Sequence, residues 1–469
     1  MDKRTYGYLP DETPPVGKLL LYALQQVIVM FPATVTVALI TGFQVSTTIF
    51  ASGLATLCFA LITGKKLPLY YGSSFAYLSA IAGLSAAQGY ATVNGILPTE
   101  AIQIAQFGIV MSGFVSIAAG LLVRFAGRQA VEKILPPSVT GPIAMIIGLT
   151  LAGGAVSDAA PKEGQSQLVW IVSLATLLST VILSRYLKGF LGQLPLLLGA
   201  GVGCLTALLF YLVGGESLNL FRELPAEVLA ASTWKLGDGS FFALPAFSLP
   251  KISWAAVVAI MPIAIATIPE STAHVYQLDI YVNDVAREKG SKKKYDMVGL
   301  LHKNLIGDGL CDMIAGFVGG PAGTNYGENI GTMAISRVFS VPVLMAASVM
   351  AMVMSCFTPL IRGIYGIPLA VIGGLEIYLF GAIAAQGIAI MIDRKCNMFS
   401  AKNTAVIAVV MILGLGITFA FNGTLNFFGI GIPAVAGAAI AGILLNLLLS
   451  IGEKKNAETE IAETPAEEK

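Results

Sequence analysis

Charged residues are scarce in this chain. Only 12% of its 469 residues are Asp, Glu, Lys or Arg, whereas 56% are hydrophobic, and the mean hydropathy is +0.79. Soluble domains carry about 25% charged residues, so the composition excludes an ordinary soluble domain and predicts a polytopic helical membrane protein. The formal net charge of +1 gives no indication of nucleic-acid binding.

Residues that bind metals or form disulfides are also few. The chain has two histidines and five cysteines, and the cysteine spacing matches neither a disulfide framework nor a zinc site. We find no phosphate-binding loop, no metal-ligand cluster and no Ser/His/Asp arrangement. We therefore predict no metal and no cofactor, and interpret the cysteines as small core residues: Cys58, Cys204, Cys311, Cys356 and Cys396.

Apolar segments of membrane-spanning length follow one another along the chain. A spanning helix needs about 20 apolar residues, or fewer where it is broken inside the protein. The first apolar run is too long for a cleaved signal core, so it predicts a retained span. About fourteen candidate spans lie at 17–41, 46–63, 67–86, 100–124, 136–154, 166–184, 189–213, 252–278, 299–318, 320–337, 339–361, 366–392, 402–421 and 426–451.

Basic residues alternate between the loops of this arrangement. With a cytoplasmic N-terminus, the odd loops hold few, whereas the even loops hold Lys65, Lys66, Arg124, Arg128, Lys133, Arg185, Lys188, the run Arg287–Lys294, Arg337, Arg394, Lys395 and Lys402. This asymmetry follows the positive-inside rule. It predicts an inner-membrane (plasma-membrane) protein with both termini cytoplasmic, an external segment at 214–250 and a disordered tail at 453–469.

Two sequence matches indicate an internal duplication. Tyr71–Ala76 reads against Tyr326–Gly331, and Leu135–Gly141 reads against Ile367–Gly373. These pairs fall in spans 3 and 10 and in spans 5 and 12, so an odd number of spans separates each pair. We therefore predict an all-α fold of two inverted repeats, about seven spans each, with broken helices in spans 3 and 10. Interrupted segments at matching positions of two halves indicate a transport site.

The broken segments supply the first candidate site residues. Glycine tolerates extended or left-handed backbone, so the chain can leave the helix at Tyr70–Gly72 and at Asn325–Gly327. Half-helices would then start near Ser73 and Glu328. Their first N–H groups lack intrahelical partners and carry partial positive charge, which suits the carbonyl oxygens of a ligand.

Carboxylates within apolar segments supply the rest. A charge at the bilayer centre costs about 2.5–3.5 kcal/mol on insertion scales, and such residues usually face a ligand or ion path. Glu328 and Glu270 are such residues, and His274 follows Glu270 one helical turn later. Glu270 and His274 could instead form an interfacial pair at the cytoplasmic end of their span.

Three further acids lie in apolar segments. Asp308 and Asp312 share one helical face and belong either to a proton path or to the wet end of their span. Glu376 is a buried-acid candidate without a nameable partner. Acids and a histidine can also perform acid–base catalysis, so a membrane-embedded enzyme remains an alternative at this point.

The motif around Glu328 resembles the signature of the nucleobase–ascorbate transporter family, also called nucleobase:cation symporter-2. That signature is an acid, Gln or Pro followed by Asn-x-Gly and, after four residues, Thr; here it reads Glu328-Asn329-Ile330-Gly331 with Ser336 in place of the Thr. Gly72–Tyr77, the Glu270/His274 pair and Ile367–Gly374 also match in family order. The resemblance covers about Pro14 to Ile451. Many members carry Gln-His where this chain has Gln25-Gln26.

The resemblance implies fourteen spans divided between a core and a gate, and elevator-like, proton-coupled transport. The core would be 16–124 and 251–361, the gate 125–213 and 362–452, after a cytoplasmic N-terminus at 1–15. Glu before the Asn resembles the uracil permease branch, so the implied partners are uracil and protons. The resemblance also implies a homodimer in the lipid membrane. Asp308 resembles an acid of purine-type members, which keeps xanthine and uric acid open.

The chemistry of a pyrimidine fits these residues. Uracil presents ring N–H donors and carbonyl acceptors, and carboxylates accept from N–H. We expect Glu270 and Glu328 to accept from the ring, with Phe75, Tyr326 and Gly327 supplying amides and an aromatic wall and Phe380 facing them from the gate. Proton coupling is expected within Glu270, His274, Glu328 and Asp308. An anion exchanger of similar fold is less compatible, because two carboxylates would repel an anion.

Overall fold

The chain is described here by a computed structural model covering residues 7–92, 95–127, 133–221, 241–428 and 430–451. The predicted disordered tail at 453–469 and residues 222–240 of the predicted external segment lie outside these ranges. Within them the chain is mostly helical, with two short two-stranded sheets.

The described residues before 222 include eight helices and one strand. The 3-10 turn Phe75–Tyr77 leads directly into the third helix. In chain order the elements are α1 (Val16–Thr41), α2 (Val45–Ile62), β1 (Tyr71–Ser73), α3 (Leu78–Ala87), α4 (Thr99–Ala126), α5 (Pro137–Thr150), α6 (Ala152–Ala159), α7 (Leu168–Tyr186) and α8 (Pro195–Gly214).

The described residues from 241 onward include nine helices and three strands. A 3-10 turn, Met261–Ile263, joins its first two helices. The elements are α9 (Trp254–Ile260), α10 (Ala264–Glu288), α11 (Leu301–Val318), β2 (Gly323–Asn325), α12 (Gly327–Ser336), α13 (Val341–Ser355), α14 (Thr358–Tyr365), α15 (Leu369–Asp393), α16 (Ala401–Ala420), β3 (Thr424–Phe427), β4 (Ile430–Pro433) and α17 (Ala434–Leu449).

Each of the predicted spans contains one of these helices. In the described ranges, nine helices are long and apolar enough to cross a membrane, counting α5 with α6 and α9 with α10 as continuous, and three shorter helices are apolar as well. The chain is therefore a multi-pass membrane protein. The full count of fourteen spans and the inverted repeat remain predictions.

The strands are the departure from the all-α prediction. β1 and β2 are the unwound segments of predicted spans 3 and 10, and they pair antiparallel, with Gly72 opposite Thr324. Hydrogen bonds from Tyr326 N to Tyr70 O and from Ser74 N to Ala322 O, both 2.9 Å, extend the pairing. Backbone groups away from water must find partners inside the protein, so the two unwound segments pair with each other.

Helix packing falls into two sets. In one set α4 packs on α11, and α2 and α1 pack on α13; in the other, α15 packs on α5, α6 and α7, and α16 packs on α17. α5 and α15 pack closely at two places: a Cβ added at Gly387 would lie 2.5 Å from the carbonyl oxygen of Gly141, and one added at Gly148 would lie 2.3 Å from that of Phe380. The two helices therefore form one continuous wall.

The segment before α1 is tied to the far end of α10 and the loop that follows it. Asp11 accepts hydrogen bonds from Lys293 Nζ and from the Tyr295 hydroxyl, both at 2.6 Å. These bonds lower the pKa of Asp11 below its ordinary value, and the bond from Lys293 has the largest effect. Lys289 Nζ likewise donates to Glu12, at 2.7 Å from Oε1. The chain before the first span thus packs as part of the folded protein.

Candidate transport site

A cavity lies between the two sets of helices, where the unwound segments meet α5 and α15. Its volume is about 100 Å3, and a water needs roughly 10–15 Å3 of such space, so the cavity admits several waters or one small ring. The lining residues are Ser73, Phe75, Ala76, Thr140, Ala144, Ile147, Ala266, Pro269, Glu270, Thr324, Asn325, Tyr326, Gly327, Glu328, Leu379, Ile383, Gln386 and Ile390.

Two carboxylates open into this cavity. Glu328 lies in the first turn of α12 and is exposed, whereas Glu270 lies within α10 after Pro269 and is half-buried. Neither forms an ion pair with a residue in the described ranges. Two acids that share a cavity without a cation are best satisfied by hydrogen-bond donors.

The starts of two helices also face the cavity. α12 begins at Gly327, and the helical turn before α3 begins at Phe75, where Ser74 Oγ accepts from the Ala76 N–H at 3.3 Å. Both starts lie within about two residues of the predicted positions. The leading N–H groups of a helix lack intrahelical partners and favour acceptor oxygens. The cavity therefore offers carboxylate acceptors and backbone donors side by side.

Tyr326 is held rigidly at the cavity wall. Its hydroxyl donates to Ser73 O at 3.0 Å and shares a hydrogen bond with Thr34 Oγ1 at 3.0 Å. Its ring lies against Gly72, because a Cβ there would approach Tyr326 Cζ to 2.2 Å. Phe75 is half-buried on the same side of the cavity. The two rings give the site an aromatic surface beside its acids.

His274 and Asp308 lie behind the cavity rather than in its lining. His274 is buried, its ring hydrogen-bonds the backbone of Asn325, and its Nε2 lies 3.0 Å from where a Cβ on Gly327 would stand. The imidazole therefore touches the backbone that carries Glu328. Glu270, Glu328 and His274 are brought together, while Asp308 contacts the cavity only through other residues.

A buried network joins Asp308 to the site. Asn325 Nδ2 lies 3.0 Å from Asp308 Oδ1, 3.0 Å from Asn304 Oδ1 and 2.9 Å from Ser271 Oγ. Ser271 also donates to Asp308 and accepts from Asn304 Nδ2 at 2.6 Å. Because Ser271 adjoins Glu270 and Asn325 lies close before Glu328, this network fixes the spacing of the two carboxylates. Asn304, Ser271 and the Asn325 side chain were not predicted as site residues from the sequence.

Asp312 has a different environment from Asp308. Its carboxylate accepts from the Tyr71 hydroxyl and, at 2.8 Å, from the backbone N–H of Gly323. It therefore ties α11 to both paired strands. Glu376 is buried within α15 and does not line the cavity.

Phe380, predicted to face the aromatic residues of the site from the gate, does not line the cavity itself. It is buried in an apolar cluster with Val37, Leu78 and Ala155, and Phe75 packs against the same cluster. Its neighbours Leu379 and Ile383 face the cavity instead. The cause is helical phase: a shift of one residue turns a side chain by roughly 100° about the axis.

Asn329 of the signature contacts the first span. Its Nδ2 donates to Gln26 Oε1 at 2.8 Å and to Gln26 O at 3.0 Å, and both residues are buried. Gln26 is the position at which the resemblance leads one to expect His. Its amide therefore takes part in holding α12 against α1.

Other missed positions lie on α5 and α15. Thr140 and Gln386 both line the cavity. Their polarity in mainly apolar helices was the signal in the sequence, but Ser138 on α5 and Glu376 on α15 carry the same signal without lining the cavity. The described residues contain no group of three or more His, Cys, Asp or Glu side chains that could hold a metal.

Many apolar helices, two unwound segments that pair with each other, and an acidic cavity between two helix sets together define a membrane transport protein. The xanthine/uracil permease model, described as the Permease family, matches residues 17–423. The chain belongs to this family, and it is a permease rather than an enzyme.

The curated relatives span almost the whole chain. A uracil permease of Bacillus caldolyticus is 35% identical, covering 94% of both chains. A uracil permease of Escherichia coli (strain K12) is 32% identical, covering 96% of this chain and 95% of the relative. A putative pyrimidine permease, RutG, of the same strain is 34% identical, covering 94% and 91%.

Solved structures of low sequence identity share the fold. The transmembrane domain of the cyanobacterial bicarbonate transporter BicA has a TM-score of 0.57 at 14% identity, covering 93% of this chain and 98% of that one. The murine anion transporter Slc26a9 in its inward-facing state has a TM-score of 0.62 at 15% identity, covering 96% and 72%. These likenesses concern the fold alone.

Proposed function

We propose that this permease is a proton-coupled symporter that imports uracil. The observation that carries the proposal is the pairing of Glu270 and Glu328 in one cavity, beside the leading N–H groups of two helices. Uracil has both donors and acceptors on its edge, so a neutral pyrimidine satisfies both kinds of group at once. The names of the curated relatives, uracil permease and putative pyrimidine permease, agree with this substrate class.

The polar contacts have the strength needed for selectivity. A hydrogen bond to a charged group contributes about 1.5–3 kcal/mol. We assign Glu270 and Glu328 as acceptors from ring N–H, the N–H groups near Phe75 and Gly327 as donors to ring carbonyls, and Tyr326 as part of the aromatic wall. An analogue without the N–H groups would leave buried acceptors unpaired, and such sites reject it strongly.

Proton coupling follows from the energetics of a neutral substrate. Membrane voltage does no work on uracil, whereas a co-transported proton contributes about 2.3 kcal/mol per 100 mV. The proton would be shared among Glu270, Glu328 and the adjacent His274. Asp308 would act through Ser271 and Asn325, because it lies behind the cavity.

Elevator transport, the fourteen-span inverted repeat and the core and gate division belong to the same proposal. The cavity lies between the unwound segments, α10 and α12 on one side and α5 and α15 on the other, which is where relative sliding of two bodies would carry a ligand. The core would be 16–124 with 251–361, and the gate 125–213 with 362–452. We also propose that the protein forms a homodimer through its gate. Both chain termini would lie in the cytoplasm.

The test is uptake of radiolabelled uracil by proteoliposomes with an imposed inward proton gradient. We expect accumulation that collapses with a protonophore and persists in excess unlabelled xanthine. Accumulation of labelled xanthine or uric acid instead of uracil would contradict the assigned substrate while leaving the transport site in place.

Substitution of the proposed coupling carboxylate tests the proton assignment. In Glu270→Gln we expect proton-driven accumulation to be lost, because the amide cannot exchange a proton. Glu100→Gln is the matched control, since Glu100 pairs with Lys251 away from the cavity. Proton-dependent concentration of uracil by Glu270→Gln would show that Glu270 is not the essential coupling group.

A further inference from the structure

The wall of the cavity opposite the two carboxylates is almost wholly apolar. It is formed by one face of α5 and one face of α15, whose lining residues recur three or four apart: Thr140, Ala144 and Ile147, then Leu379, Ile383, Gln386 and Ile390. The backbones of these helices touch at Gly141 and Gly387. Only Thr140 and Gln386 bring polar side chains to this wall.

Of these two polar residues, Gln386 has the more exposed side chain. Thr140 is only 6% exposed, whereas Gln386 is exposed although it lies in a predicted membrane span. Its amide forms no hydrogen bond with any residue in the described ranges. A glutamine amide carries two N–H donors and one acceptor oxygen, so Gln386 has hydrogen-bonding capacity directed at whatever occupies the cavity.

The carboxylate side of the cavity is rich in acceptors. Glu270 and Glu328 only accept hydrogen bonds when ionised, and the donors near them are backbone N–H groups at two helix starts. The side-chain amide of Asn325 is occupied by Ser271, Asn304 and Asp308. Thr324 in β2 adds a hydroxyl without a partner in the described ranges, on the carboxylate side of the cavity. On the α15 side, the side-chain donor that a ring carbonyl meets is the Gln386 amide.

We propose that Gln386 is a specificity-determining residue that donates a hydrogen bond to a ring carbonyl of the pyrimidine from the opposite wall. This inference rests on the proposed uracil transport and deepens it. Glu270 and Glu328 hold the N–H groups of the ring, and Gln386 selects a carbonyl oxygen at the edge that faces α15. The neighbouring Ile383 and Ile390 surround this contact with apolar surface on the same wall.

Binding of thio analogues to the purified full-length protein tests this contact. Sulfur accepts hydrogen bonds weakly, so 2-thiouracil and 4-thiouracil each remove one carbonyl acceptor. For Gln386→Leu we expect uracil binding to weaken about 2- to 12-fold, the effect of one neutral hydrogen bond. For one of the two thio analogues the same substitution should change binding by less than about 2-fold, because the contact is already absent.

A merely structural role would not produce this pattern. Equal weakening for uracil and both thio analogues, or no weakening for uracil, would overturn the inference. Gln386→Asn serves as a milder second variant that should show the same dependence on one carbonyl. Gln103→Leu is the matched control, because Gln103 is a half-buried glutamine in α4 outside the cavity lining.

The unaltered protein separates this inference from the proposed function. If the unaltered protein fails to bind uracil, both the proposed uracil transport and the role of Gln386 are refuted. If it binds and accumulates uracil while Gln386→Leu and Gln386→Asn bind all three ligands like the unaltered protein, the inference alone falls.

Discussion

Gly72→Ala is the substitution whose effect the structure defines most sharply. The added Cβ would lie 2.2 Å from Tyr326 Cζ and 2.3 Å from Tyr326 Cε2, far inside the 3.0 Å that real Cβ contacts respect. The tyrosine cannot move aside without loss, because its hydroxyl is bonded to Ser73 O and Thr34 Oγ1. Gly72 itself lies in β1 opposite Thr324, so the strand must shift if the ring does not.

The magnitude follows from these two options. Overpacking a tight interior costs about 1–3 kcal/mol, and each hydrogen bond that the displaced hydroxyl loses contributes about 1 kcal/mol more. We therefore expect Gly72→Ala to be destabilised by roughly 2–5 kcal/mol. Because Tyr326 lines the cavity, the KM for uracil should also rise.

Thermal unfolding in detergent and uracil uptake measure the two effects. Gly416→Ala is the matched control, since Gly416 lies in α16 with nothing within 4 Å of an added Cβ; alanine there should be neutral or stabilising by up to about 1 kcal/mol. In Gly72→Ala/Tyr326→Ala the clash is gone, so the two single effects should not add. A Gly72→Ala protein that melts and transports like the unaltered protein would refute the steric reasoning.

Two further predictions concern the network and the N-terminal segment. Asn325→Ala removes the donor from Asn304 Oδ1 and Asp308 Oδ1, and it should lower stability by roughly 1–4 kcal/mol; an unchanged melting temperature would mean that water replaces the amide. The lowered pKa of Asp11 in the folded state means that its bond with Lys293 stabilises the protein above the ordinary pKa of 3.8 and is lost as pH falls through the lower folded value. The melting temperatures of the unaltered protein and Asp11→Asn should therefore differ at neutral pH and converge in acid, and a gap that persists at low pH would contradict the assignment.

The unwound segments could be predicted because their signal is local. Glycines beside Glu328 and beside Ser73 interrupt apolar runs. A carboxylate in an apolar run of membrane-spanning length is rare and usually functional. Their pairing as β1 and β2 could not be predicted from the same residues. It depends on two distant parts of the chain meeting at one depth, which short local matches do not encode.

The environments of the acids show the same limit. Asp308 and Asp312 lie one turn apart on α11 and looked equivalent in sequence, yet one joins the network around Asn325 and the other ties Tyr71 to Gly323. Which neighbours each acid meets depends on how α11 crosses α10 and the strands. For a related reason the sequence could not place Phe380 relative to the cavity, because helical periodicity gives relative phase along α15 but not which face meets the cavity.

The carboxylates of the cavity favour a neutral substrate over an anion. Two helix starts face this cavity, and the N-terminus of a helix favours negative charge. In this chain a carboxylate of its own occupies the first turn of α12, and a second one, Glu270, faces the same cavity. A free anion entering the cavity would meet these two carboxylates. In the described ranges, no Lys or Arg side chain lines the cavity to offset them. The two carboxylates accept hydrogen bonds and the helix starts donate them, so a neutral ring with both N–H groups and carbonyl oxygens fits this site better than an anion.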